Sequence, residues 1–203
     1  MKLFGHAGLQ RGAPAAVVEA PFCSTRGDIT VALQGGPVWL DGQRVSAPAE
    51  ALLEAYERQG REFLRGLRGR FALAILDRSA PFALLALDPM GMESLSFALR
   101  GDELVFSSST LAVARAAGST HLRRQALFDY LLLHMVPAPE TVFRDVFKLR
   151  PGTAVEFPNG RPSVTRFWNP SFAPRGTPPR DELERELPVL LHNAVEVCEP
   201  DEH

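Results

Sequence analysis

Phe71-Ala-Leu-Ala-Ile-Leu76 and Phe82-Ala-Leu-Leu-Ala-Leu87 are apolar at every position, with only Asp77-Arg78-Ser79-Ala80-Pro81 between them. A half-buried strand alternates polar and apolar residues, because successive side chains point to opposite faces. Two adjacent runs without that alternation predict neighbouring strands covered on both sides. Downstream, Leu95–Leu99 and Leu104–Ser108 read as a hairpin around Arg100-Gly101-Asp102. Upstream, residues 49–67 change to a helical period, with Leu52, Leu53, Tyr56, Phe63, Leu64 and Leu67 interleaved by charged residues. Gly60 is expected to split that stretch into two short helices.

The first 45 residues read as short strands and turns. Val31-Ala-Leu33 runs into Gln34-Gly-Gly-Pro37, which predicts a sharp bend with close backbone approach before Val38-Trp-Leu40. Helices are expected near 110–117 and 123–134, the second stopped by Val136-Pro-Ala-Pro139. Strands near 153–157 and 163–168 flank the turn signal Pro158-Asn159-Gly160. Asn169–Pro179 reads as a Pro/Gly-rich linker. An amphipathic helix starts at about Asp181, with Leu183, Leu187, Leu190, Leu191, Ala194 and Val195 on one side and an expected interruption at Pro188. Two-sided strands with helices among them predict a layered α+β domain of stacked sheets.

Composition excludes several classes of function. The net charge of −2 over 203 residues offers no basic field for nucleic acid. Cys23 and Cys198 are the only cysteines, too few for a disulfide framework or a metal cluster. No run reaches the ~20 apolar residues of a membrane span, and Met1-Lys-Leu-Phe-Gly-His6 is too short and polar for a secretory signal. No metal, no membrane and a reducing cytoplasm are the resulting expectations.

Several motifs, in one order, resemble the amidotransferase domain of glutamine-dependent asparagine synthetases. They are Leu52-Leu-Glu-Ala-Tyr56, Leu67-Arg-Gly-Arg-Phe-Ala-Leu-Ala-Ile-Leu-Asp77, Ala86-Leu-Asp-Pro-Met-Gly91, Phe106-Ser-Ser-Ser-Thr-Leu111, Leu127-Phe-Asp-Tyr-Leu131, Lys148-Leu-Arg-Pro-Gly152 and Arg166-Phe-Trp-Asn-Pro170. The resemblance spans roughly residues 47–170 and implies a four-layer αββα Ntn-hydrolase-like sandwich of two antiparallel sheets. It also implies a division into an amidotransferase-like domain at 1–168, a linker at 169–180, and the first helix of a synthetase domain at 181–203.

The resemblance implies a chemistry as well. Such enzymes use an N-terminal cysteine whose thiol attacks the glutamine side-chain amide while the free α-amine, with a pKa of about 7.7–8, takes the proton. Here the opening Cys-Gly-Ile-Ala-Gly is matched by Phe4-Gly5-His6-Ala7-Gly8, so Phe4 stands in the nucleophile's place, behind Met1-Lys2-Leu3. The oxyanion-holding Asn-Gly-Glu falls on Gly35-Gly36-Pro37, which keeps only the Gly36 backbone donor. The substrate-amine Asp falls near Pro48, and the carboxylate clamp has a partial echo in Arg26-Gly27-Asp28. No catalytic residue is therefore assigned; Gly5, Arg26 and Gly36 are remnants of the substrate-binding set.

β-Lactam synthetases and lasso-peptide macrolactam synthetases resemble this pattern: a front domain without its nucleophile beside an ATP-dependent domain that closes an amide. That second domain's Ser-Gly-Gly-x-Asp-Ser pyrophosphate loop is absent here. No cofactor is expected in this chain, ATP and Mg belonging to the synthetase domain, in cis or in trans. Two rivals remain. One is a working glutaminase with Cys23 as displaced nucleophile. The other is a peptide or small-molecule binding module, favoured if Trp39 or Phe4 lines an open cleft.

Overall fold

The computed structural model describes residues 2–9, 17–80, 82–158, 161–172 and 179–198, without the side chains of 197 and 198. Pro81, the Asn159-Gly160 part of the expected turn, linker residues 173–178, the Cys198 side chain and the tail through His203 lie outside the described residues.

In chain order the strands are β1 (Phe4–Gly8), β2 (Val17–Glu19), β3 (Phe22–Arg26), β4 (Ile29–Leu40), β5 (Gln43–Arg44), β6 (Leu67–Asp77), β7 (Phe82–Leu87), β8 (Ser96–Arg100), β9 (Glu103–Ser107), β10 (Phe147–Lys148), β11 (Thr153–Glu156) and β12 (Ser163–Arg166). The helices are α1 (Pro48–Gln59), continued by a 3-10 turn over Gly60–Arg65, then α2 (Thr110–Ala117), α3 (Arg124–Leu133) and α4 (Arg180–Cys198). One antiparallel sheet runs β10-β8-β9-β1-β2; the other runs β12-β11-β7-β6-β4-β3, with β5 hairpinned onto β4.

The paired apolar runs decide the layering. In β6 and β7, Ala72, Ala74, Leu76, Ala83, Leu85 and Leu87 face the core between the sheets, where Phe97, Phe106 and Phe157 meet them. Alanines at 72, 74 and 83 leave room for the rings of Phe97 and Phe106 from the other sheet and of Phe157 from the end of β11, which keeps the interior dense. The alternate positions Phe71, Leu73, Ile75, Leu84 and Ala86 pack under Leu52 and Leu53 of α1 and Phe63 and Leu64 of the 3-10 turn. The outer face of the five-stranded sheet, at Ala98 and Val105, is covered by Val113 and Ala114 of α2. The order is helix, sheet, sheet, helix: a four-layer α+β sandwich, as expected.

Two details differ from expectation. The bend at Gln34-Gly-Gly-Pro37 does not end the strand, and β4 runs unbroken through it. Gly35 and Gly36, at φ 111° and 135°, absorb a register shift against β6, and pairing resumes at Val38↔Gly69. Pro188 lies inside α4 without ending it. One missing N–H costs one i→i−4 bond, and the side chains of this helix from Arg180 to Glu196 are exposed, so water can reach the freed carbonyl. The chain divides into two units, Met1–Asn169 and Pro170–His203. No helix among the described residues is long and apolar enough to cross a membrane.

Tyr56, on α1, has its phenol pKa pushed up to about 12, first by burial and then by the charges of Asp77 and Glu156. The folded pKa exceeds the ordinary value near 10, so this contribution to stability is complete below pH ~10 and is lost as pH rises toward 12. Tyr56→Phe is expected to remove this component from the alkaline fall in stability, read by urea unfolding at stepped pH.

Candidate functional site

The stretches singled out by the resemblance converge only in part. The β4 bulge and the start of α1 enclose a cavity of about 360 Å³ lined by Phe22, Gly35, Gly36, Pro37, Val38, Arg44, Val45, Ser46 and Pro48. Gly35, Gly36, Pro37 and Pro48, distant in sequence, therefore do share one wall. Phe4, Gly5 and Trp39 do not line it. Among the lining side chains, Arg44 alone is ionisable.

Phe4 is held elsewhere. Its ring packs with the cluster under α2, on the outer face of the five-stranded sheet. Alternation along β1 puts Leu3 and Ala7 toward the inter-sheet core instead. The fully buried Leu3 is clamped on both sides of its peptide. Its N–H donates to Gln34 Oε1 at 2.7 Å, while its carbonyl accepts from Ser107 Oγ at 2.8 Å and Ser108 N–H at 2.9 Å. Gln34 Nε2 in turn donates to Glu93 Oε2 at 2.7 Å, and Arg70 Nε lies 3.2 Å from Glu93 Oε1. Glu93 is positioned through its backbone N–H, which donates to the fully buried Asp88 carboxylate; the N–H groups of Met90 and Met92 do the same at 3.0 Å. The entry to β1 is thus a structural knot. Gly5 is required within it: a Cβ there would lie 2.5 Å from the Phe106 ring and 2.9 Å from the Val17 carbonyl.

The remaining residues take structural positions. Arg26 does not line the cavity; it donates to α1, to Glu57 Oε2 at 2.8 Å and Glu54 Oε1 at 3.4 Å. Cys23 lies in an adjoining depression of about 320 Å³ with Pro21, Phe22, Ser46 and the first turn of α1. Partial burial raises its thiol pKa above the ordinary value, opposite to the depression that makes a reactive thiolate. His6 Nδ1 pairs with Glu103 at 3.0 Å. His134 caps α3 at φ 56° with its N–H on the Tyr130 carbonyl. Ser109 is the N-cap of α2, so the serine run is a strand-to-helix corner.

Sequence reading did not find Gln34, Glu93 and Arg70. Gln34 pairs with Ala72 across β4 and β6, close to Arg70 of the same strand, but Glu93 joins them only through the Asp88 loop, which has no local period. Phe22 and Ser46, on the cavity wall, also carried no signal beyond their proximity to Cys23 and Pro48.

A family model described as a glutamine amidotransferase domain matches residues 42–168. Asparagine synthetase [glutamine-hydrolyzing] 1 of Bacillus subtilis is 28% identical over 149 residues, covering 73% of this chain and 23% of that protein. A putative asparagine synthetase [glutamine-hydrolyzing] of Mycobacterium bovis is 33% identical over 154 residues, covering 72% and 24% respectively. The chain thus spans about a quarter of the length of these relatives. Among solved structures, the glutamine phosphoribosylpyrophosphate amidotransferase of B. subtilis aligns at TM-score 0.46 and 20% identity, covering 73% of this chain and 31% of that one. With its model match over more than half its length, the chain belongs to the glutamine amidotransferase domain family, in the class II form of the asparagine synthetases.

Proposed function

We propose that this domain has lost glutamine hydrolysis and serves as the structural partner of an ATP-dependent amide-forming domain, of the asparagine, β-lactam or macrolactam synthetase kind, in cis or in trans. One observation carries the reading: the wall where Gly35, Gly36, Pro37 and Pro48 meet offers a backbone donor but no thiol, carboxamide or carboxylate. Phe4, at the matching nucleophile position, carries a peptide nitrogen and packs under α2. ATP and Mg chemistry belongs to the partner domain in this reading. We infer a cytoplasmic location, in keeping with the free thiol of Cys23.

The surface supports a partner role. α3 exposes Phe128, Tyr130, Leu131, Leu132 and Leu133 by 51–76%, and only Ala126 of this helix is buried. A contiguous apolar patch on one helix marks a surface that another protein covers. The test is association with a separately produced synthetase domain of this family, followed by analytical ultracentrifugation. A 1:1 complex is expected, weakened about tenfold or more by Leu131→Arg with Leu132→Arg, in line with loss of buried anchor residues. Failure of the unmodified chain to associate, or association that ignores this double substitution, would overturn the reading.

A further inference from the structure

A further cavity shares no lining residue with the one at the β4 bulge and takes no part in the proposed function. It is about 560 Å³, within the range of small-molecule sites. It opens where the edge strand β10 of one sheet faces β11 and β12 of the other. Its walls are Phe97, Leu99, Phe147, Leu149, Val155 and Val164. Phe97 is braced edge-on by Phe157 at 5.4 Å and tilted against Phe147 at 5.9 Å, and Arg123 sits over the Phe147 ring at 5.9 Å. The aromatic end is therefore preformed.

Three charged residues, Asp145, Lys148 and Arg150, also line the cavity. Lys148 Nζ donates to the Val136 carbonyl at 2.5 Å, and among the described residues it forms no ion pair with a carboxylate. An ammonium has three donors, so two remain for a ligand. Arg150 donates its Nε to the Ala138 carbonyl at 3.3 Å, which leaves the outer edge of the guanidinium available. The balance at the cavity is two cations against one carboxylate, and neither cation is neutralised by Asp145. Burial lowers the Lys148 pKa from its ordinary value, as expected of an ammonium held without a counter-charge.

We propose that this cavity binds an elongated aliphatic carboxylate, its chain between Phe97, Leu99, Val155 and Val164 and its head group on Lys148 and Arg150. Apolar walls reward each methylene that leaves water, and the unneutralised cations select the sign of the head group. The proposal is independent of the glutaminase question, since none of these residues touches the β4 bulge cavity.

The experiment is calorimetric titration of the full chain with n-alkyl carboxylates of increasing length, beside alcohols and alkylammonium ions of matched length. Affinity for the carboxylates should rise about fourfold per added methylene until the cavity is full, and should exceed that of alkylammonium at least tenfold. Val164→Glu, on an exposed wall of an edge strand, should fold normally and lose carboxylate binding more than tenfold. Lys148→Met should abolish the preference for carboxylate over alcohol while alcohol binding persists. Absence of saturable binding, equal affinity for alkylammonium, or indifference to Val164→Glu would overturn the proposal. If Lys148→Met fails to fold, the length series and Val164→Glu still decide.

Discussion

Glutamine incubated with this chain is expected to release glutamate no faster than it does in buffer. Removing the nucleophile of a hydrolase costs on the order of 10⁶ in rate, and losing one oxyanion donor costs about 10²–10³. On the proposed reading both changes coincide: Phe4 stands in the thiol's place, and Gly35 and Pro37 stand in place of side chains beside the backbone donor of Gly36. Restoring sulfur alone should not restore turnover. In Phe4→Cys the nitrogen of residue 4 remains a peptide amide, so no amine near pKa 8 is present to take the proton. The residue 4 side chain also lies under α2, while the preceding peptide is held by Gln34, Ser107 and Ser108. A glutamate-release assay on the unmodified chain, Phe4→Cys and Cys23→Ser decides the matter. Turnover in the unmodified chain that vanishes in Cys23→Ser would establish a displaced nucleophile and refute the silent-domain reading.

The sandwich was legible because burial on two faces erases the period-2 pattern, and β6 and β7 show that erasure over six residues each. The bulge was legible only as an irregularity. Gly35-Gly36-Pro37 announces an unusual backbone, but a sharp bend and a bulge within a continuous strand use the same residues, and the difference is set by β6 across the ladder. The proposed site was legible only as four positions, Phe4, Gly35, Pro37 and Pro48. Its geometry was not: that the last three line one wall while Phe4 packs on the far face of the other sheet follows from alternation along β1, and a motif match carries no information about facing. The Gln34–Glu93–Arg70 network and the β10–β12 cavity depend on long-range closure, and helical or strand periods are blind to it. The sequence predicts α3 only as a helix, and the exposure of its apolar residues shows once the neighbouring layers are in place.

Gly69→Ala is expected to destabilise the domain by about 2–6 kcal/mol, combining strain at a left-handed backbone position with overpacking. Gly69 sits at φ 105°, directly across the ladder from Val38 where β4 emerges from its bulge. A Cβ there would lie 2.2 Å from the Pro37 carbonyl oxygen and 2.9 Å from the Val38 Cα, both backbone atoms that cannot turn aside. Relief requires β4 to move off β6, and that movement opens the wall formed by Gly35, Gly36 and Pro37. Domains of this size hold about 5–15 kcal/mol in all, so the substitution should leave a protein near the edge of folding. Gly101→Ala is the matched control, because Gly101 has φ 59° in the β8–β9 turn with nothing within 4 Å of the added carbon. It should cost only the intrinsic left-handed penalty of about 1–2 kcal/mol. Urea unfolding of the two variants separates conformational strain from steric collision. Equal midpoints would show that the close approach of β4 to β6 at Gly69 relaxes freely, and that the bulge is not held by this glycine.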